Sequence, residues 1–283
     1  MASVINTNIF SLQGQNALRD TNNQLQTSLE RLSTGLRINS AKDDAAGLAI
    51  TNRLTTQIRG SEVAARNAND GISMAQTAEG AMGALTDTMQ RMRDLAVQAA
   101  NATNSSSDRE NLNTEFQQLK DELGRIINNT EFNGQKILAG SLQSGAKFQV
   151  GANTTADNQI SFAIGSLGGL GSGIGSVLAD AVSIGSGATF TNIMSAIDNL
   201  DTQITTVDTT RAKLGAVQNR FEVTIDNLNN FIVNESAARS RIQDADFAKE
   251  TANLSKAQIL QQAGTSVLTQ ANQAPQSVLG LLG

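Results

Sequence analysis

The chain has 283 residues, 39% hydrophobic and only 3% aromatic, with a formal net charge of −5 and neither histidine nor cysteine. Missing those two residue types rules out Ser-His-Asp and Cys-His catalysis, the usual zinc sets and any disulfide framework. Acids and bases are interspersed, so no basic stripe offers itself to nucleic acid, and the scarcity of aromatics points to long packed helices rather than a compact enzyme.

The first 18 residues carry no charged side chain, yet they lack the basic n-region and apolar core of a Sec signal peptide. Ile5, Ile9 and Leu12, followed by Leu18, Leu25, Leu29, Leu32 and Leu36, keep the spacing of a helix with one apolar face. Residues 33–40 (STGLRINS) read as a turn, and a second helix is expected from about Asp43. Within it Ala78, Met82, Leu85, Met89, Met92, Ala96 and Ala99 alternate steps of four and three, a seam for a partner helix. Residues 101–107 form a polar break. Ser107 with Glu110 fits a capping box, opening a helix carried by Leu112, Phe116, Leu119, Leu123 and Ile126.

The middle of the chain differs. Eleven of the 24 glycines fall between Gly140 and Gly187, Asn133-Gly134 reads as a tight turn, and Ile160, Phe162 and Ile164 alternate with polar neighbours as a strand does. A third seam then runs from Ile193 through Ile197, Leu200, Ile204, Val207, Leu214, Phe221, Ile225 and Leu228 to Ile232, with only Arg211 and Gln218 polar. At ~1.5 Å per residue a helix over 190–240 spans about 75 Å. Residues 257–283 are again uncharged but too rich in Gln, Ser, Thr and Asn for a membrane span. Leu260, Ala263, Val267, Ala271, Ala274, Val278 and Leu281 form an apolar stripe that must be buried against something.

The fold expected is mainly α: an elongated antiparallel helical or coiled-coil bundle with a small β-hairpin region mid-chain and both termini at one end of a rod. Its parts are residues 1–42 with a connecting turn, 43–129, a β-hairpin and Gly/Ser-rich region over 130–188, a long helix over 189–243, and 244–283. Little in the sequence suggests chemistry. Asp43 and Asp44 point about 100° apart on a helix, so they do not converge on a metal and instead favour the positive end of the helix that follows. The glycine run from Gly165 to Gly175 lacks the lysine of a phosphate loop. No cofactor is expected.

Residues 30–50 (ERLSTGLRINSAKDDAAGLAI), 90–98 (QRMRDLAVQ) and 274–282 (APQSVLGLL) resemble the signatures of bacterial flagellins, and the likeness extends over roughly 1–140 and 190–283. The resemblance implies a secreted structural subunit, not an enzyme. Its N- and C-terminal helices pair as an inner domain lining a filament channel, and a helical shell lies outside. It implies a homopolymer, shared with sister flagellins in some filaments, that meets junction and cap proteins. Ile5, Ile9, Leu12, Leu25, Leu29, Leu32, Leu260, Val267, Ala271, Val278, Leu281 and Leu282 are the residues expected to carry polymerisation. Gln90, Arg91, Asp94, Leu95 and Glu115 match a surface that packs subunit on subunit and is read in shed monomers by an animal Toll-like receptor. The tail resembles the segment held by an export chaperone. A hook–filament junction relative and a free coiled-coil scaffold are the rival readings. A protease-bearing flagellin fails, because HExxH needs histidine.

Overall fold

The computed structural model describes residues 7–167, 175–178 and 182–279, with 176, 178 and 274–279 described by backbone alone. Its helices are α1 (Ile9–Thr34), α2 (Ala45–Ala99), α3 (Ser106–Asn129), the single turn α4 (Gly175–Leu178), α5 (Phe190–Gln243) and α6 (Phe247–Leu279). Between α3 and α4 lie two hairpins, β1 (Glu131–Phe132) with β2 (Gln135–Lys136) and β3 (Ala146–Gln149) with β4 (Gln159–Phe162), each an antiparallel two-stranded sheet. The expected mainly helical fold with a small β region is therefore the observed one. Asn133 and Gly134 both take positive φ, 50° and 76°, the geometry that a two-residue hairpin turn demands.

Three helix boundaries have a clear local cause. α1 ends where Gly35 adopts φ 73° and its N–H bonds back to the Arg31 carbonyl. Asp44 opens α2 by accepting the Gly47 N–H at 2.8 Å. Asp43 does something else: its Oδ2 accepts the backbone N–H groups of Asn39 and Ser40 and the Ser40 hydroxyl, shaping the preceding loop rather than serving the helix end. The capping box of α3 also departs from expectation. It is built by Ser105 and Asp108, with the Asp108 N–H donating to Ser105 Oγ and Asp108 Oδ2 accepting the Ser105 N–H at 3.0 Å. The box expected at Ser107 and Glu110 is two residues out of place, because the serine run 105–107 offers three equivalent caps and the tertiary fold engages Glu110 elsewhere.

The chain divides into two compact units. One comprises Arg59–Ile232, and the other takes the chain's two ends, up to Ile58 and from Val233. The Arg59–Ile232 unit holds the core. Ala78, Met82, Leu85, Met89, Met92, Ala96 and Ala99 are all at most 1% exposed, so the predicted seam of α2 is buried along its whole length. Phe116, Leu123 and Ile127 of α3 and Ile193, Leu200, Val207, Leu214 and Phe221 of α5 close over it. The β3–β4 hairpin docks through Phe148, whose ring stacks on Phe162 at 5.6 Å and meets Phe221 edge-on at 5.6 Å. Phe221 in turn lies on Gly71, where an added Cβ would stand 2.7 Å from the ring.

In the unit of the chain ends, α1 and α6 run antiparallel. Asn8 Nδ2 donates to the Ala271 carbonyl at 2.8 Å, Gln261 Nε2 donates to Asn22 Oδ1 at 2.9 Å, and the Ser28 hydroxyl donates to Glu250 Oε1 at 2.8 Å. Two leucines set the spacing. A Cβ on Gly264 would sit 3.2 Å from Leu18, and one on Gly14 would sit 3.3 Å from Leu268, so each glycine receives a leucine from the opposite helix. The segments after α1 and α5 are knitted together, with the Arg37 N–H donating to the Gln243 carbonyl at 2.7 Å and the Ala245 N–H to the Gly35 carbonyl at 2.9 Å.

Candidate assembly and recognition surfaces

The α1–α6 pair buries little apolar surface of its own. Its seam mixes polar and apolar groups, with Ser11, Ser28, Glu250 and Ala257 buried and Leu18, Leu25, Leu32, Leu254 and Leu268 only half-buried. Seven other large apolar side chains are left outside it: Ile9, Phe10, Leu12, Leu29, Ile259, Leu260 and Val267 are between 43% and 66% exposed. An α-helix in water ordinarily turns such a face inward. Of the residues expected to carry polymerisation, Ile9, Leu12, Leu29, Leu260 and Val267 are thus exposed, whereas Leu25, Leu32 and Ala271 are half-buried in the seam. Ile5, Leu281 and Leu282 lie outside the described residues, as does the side chain of Val278. The seam face of α6 (Leu254, Ala257, Gln261, Gly264, Leu268) is distinct from the stripe through Leu260, Ala263 and Val267, which faces outward.

The second expected surface is partly reassembled. Arg91 lies on α2 and Glu115 on α3, and both Nε and Nη2 of Arg91 donate to Glu115 Oε1, at 2.9 and 2.7 Å. Their side chains remain about half exposed, and Gln90 and Asp94 are exposed beside them. Leu95 is not part of this surface: it is 1% exposed and belongs to the core beneath. It sits one turn on from Arg91 along α2 and joins the hydrophobic cluster that α2, α3 and α5 share. Two residues from Arg91, and therefore about 200° around the helix, Arg93 binds Asp201 of α5 through Nε at 2.6 Å and Nη2 at 3.2 Å. Hydrogen bonding to that carboxylate raises the arginine's pKa. The two arginines thereby flank α2 with one ion pair to each neighbour, and the α5 pair is one that spacing within a helix does not disclose.

A third arrangement secures the chain's return from the middle region. Glu110 Oε2 accepts the Ser186 N–H at 3.1 Å and its hydroxyl at 3.0 Å, while Asn113 Oδ1 accepts the Ser183 hydroxyl and the Ile184 N–H. The Ser186 bonds, the backbone one foremost, hold the Glu110 carboxyl below its ordinary value. Among the described residues no helix is long and apolar enough to cross a membrane.

A mainly helical chain whose ends pair with each other while Ile9, Phe10, Ile259 and Val267 stay more than half exposed has the make-up of a helical assembly subunit. Residues 5–143 match the bacterial flagellin N-terminal helical region, and residues 197–282 match the bacterial flagellin C-terminal helical region. A flagellin of Halalkalibacterium halodurans is 44% identical over 279 residues, covering 99% of each chain. Flagellin D of Vibrio anguillarum is 38% identical over 384 aligned residues, covering all of both chains. A solved structure of a putative flagellar hook-associated protein from Vibrio parahaemolyticus shares the fold over 71% of this chain and all of its own, with a TM-score of 0.60 at 13% identity. The chain belongs to the bacterial flagellin family. It is a structural subunit of the bacterial flagellar filament, in a family of structural proteins rather than enzymes.

Proposed function

We propose that the subunit polymerises through α1 and α6, whose outward apolar faces are covered by the same helices of neighbouring copies. The observation that carries this is the contrast between the two units: a core at most 1% exposed along the α2 seam, and Ile9, Phe10, Ile259 and Val267 more than half exposed on the end helices. The uncharged stretches, 7–18 and 257–273 among residues with described side chains, suit a surface where many identical copies meet, because like charges brought together would repel. Residues 1–42 and 244–283 form the inner, channel-lining part in this account, 43–129 and 189–243 the outer helical shell, and 130–188 the β-hairpin and variable region. The chain leaves the cell unfolded through the hollow flagellar apparatus, its C-terminal tail, with Val278, Leu281 and Leu282, first held by an export chaperone. In the filament it meets junction and cap proteins and, in some filaments, sister flagellins.

The test is seeded elongation followed by light scattering, comparing the full chain with one lacking residues 257–283. Growth of the full chain alone supports the account. Equal growth of both overturns the role of α6, and a ring of fixed size in place of open polymer favours the junction reading. For the chaperone, co-purification with the full chain but not with the shortened one is expected.

A second reading is favoured by the exposed Arg91–Glu115 pair. Shed monomers present Gln90, Arg91, Asp94 and Glu115 to an animal Toll-like receptor, with Leu95 supporting α2 and α3 from below rather than touching the receptor. In the filament the same patch packs against a neighbouring subunit, so recognition is confined to monomer.

A further inference from the structure

Between α1 and α6 lies a polar cleft of 430 Å³ lined by Asn23, Gln24, Thr27, Ser28, Arg31, Glu250, Asn253 and Lys256. We propose that this cleft receives a carboxamide side chain, Asn or Gln, from a neighbouring copy of the chain. The inference rests on the polymer reading above and names the chemistry of one of its contacts.

Glu250 is a carboxylate only 7% exposed. Its Oε1 is well served by the Ser28 hydroxyl at 2.8 Å. Its Oε2 is not: Arg31 Nη1 stands 3.9 Å away, beyond hydrogen-bond reach, and Asn253 Nδ2 is at 3.5 Å, the outer limit. A buried carboxylate oxygen with only long contacts has room for a strong donor, and leaving it underserved is costly. The cleft also presents donors, the Arg31 guanidinium and the exposed Lys256 ammonium. A cationic occupant would satisfy Glu250 but be repelled by Arg31 and Lys256. An anionic one would meet the reverse conflict. A primary carboxamide does both tasks at once, its NH₂ donating to Glu250 Oε2 and its carbonyl accepting from Arg31 or Lys256.

The supply of such groups is on the same molecule. The uncharged stretches of α1 and α6 expose Gln13, Asn16, Gln258, Gln262 and Gln270, and they carry no Asp, Glu, Lys or Arg to compete. Where one of these uncharged stretches meets the cleft of the next copy, the polar side chains it brings are carboxamides and hydroxyls, and of these the carboxamide alone pairs an NH₂ donor with a carbonyl acceptor.

The absence of cysteine makes a clean cross-linking test possible. Full chains carrying Thr27→Cys at the cleft rim are mixed with full chains carrying one of Gln13→Cys, Asn16→Cys, Gln258→Cys, Gln262→Cys or Gln270→Cys. The mixtures are polymerised on native seeds and treated with a short bis-maleimide, with Gln24→Cys as a second rim position should Thr27→Cys not polymerise. At least one pairing is expected to give mixed covalent dimers in filaments and none before polymerisation. The partner position changed to Glu, which cannot donate to Glu250, should raise the critical concentration about tenfold. Filaments that grow without any cross-link from either rim position, or a Glu variant that polymerises like the native chain, would overturn the docking site while leaving the polymer account standing. If the native chain itself does not elongate, the polymer account fails and this inference with it.

Discussion

Ile259→Ala is expected to separate assembly from folding. Ile259 is 66% exposed on α6, so the isolated subunit gains little from its side chain. Replacement by alanine removes three carbons, worth roughly 2.4 kcal/mol if fully transferred from water at ~0.8 kcal/mol each. Two thirds of that transfer remains to be made when a neighbouring copy covers the residue, which leaves about 1.5 kcal/mol lost per polymer contact, or about tenfold in critical concentration. The assay pairs seeded elongation across a concentration series with thermal melting of the monomer followed by circular dichroism. The expected outcome is a critical concentration raised about tenfold beside a monomer melt that barely moves. An unchanged critical concentration, or a monomer destabilised as strongly as by a core truncation, would refute the reasoning.

Leu95→Ala gives the opposite pattern, a monomer destabilised by about 2–5 kcal/mol because a buried leucine leaves a cavity in the core, measured by denaturant unfolding. Arg91→Asp should weaken the response of a Toll-like receptor reporter to monomer while leaving the melt nearly unchanged, since an exposed ion pair is worth roughly 0–1 kcal/mol; an unaltered response would defeat the recognition reading. Ser105→Ala should cost about 1 kcal/mol through loss of the α3 cap, whereas Ser107→Ala should be close to neutral, and equal effects would contradict the observed box. On pH, the carboxyls of Asp43, Asp108, Glu110 and Glu122 are held below their ordinary values of 3.8 and 4.5 by hydrogen bonds from Ser40, Ser105, Ser186 and Arg125 respectively. Groups lowered in the folded state stabilise it above their unfolded values, and that stability is lost as pH falls through the folded ones. With no histidine to titrate, the melting temperature should be flat between about pH 6 and 8 and decline only below about pH 4.5.

The seams of α2 and α5 were legible because burial there follows the helical repeat with scarcely a fault, from Ala78 to Ala99 and from Ile193 to Phe221. Leu95 entered the expected recognition surface through the family resemblance, and its burial, 1% exposed, is a matter of the neighbouring helices that a motif match does not describe. The α3 cap is a similar case. Three consecutive serines satisfy the local rule, and the choice among them depends on Glu110 being drawn to Ser186, 76 residues away. Pairings such as Arg93 with Asp201 and Ser28 with Glu250 join residues more than a hundred positions apart, where no spacing rule reaches. The stripe on α6 was legible as apolar. That it faces away from α1 was not, since the seam instead runs through Leu254, Ala257, Gln261, Gly264 and Leu268, where Gly264 gives room to Leu18 of the opposite helix.

We propose that the end helices are completed by other copies, whereas the core of the Arg59–Ile232 unit is closed within each subunit. Amide hydrogen exchange on monomer and filament, read by mass spectrometry across the whole chain, tests this most directly. Peptides from α1 and α6 should exchange freely in the monomer and become strongly protected in the filament, while those from residues 75–99 and 193–221 are protected equally in both. Protection of α1 and α6 that is the same before and after polymerisation would contradict the account.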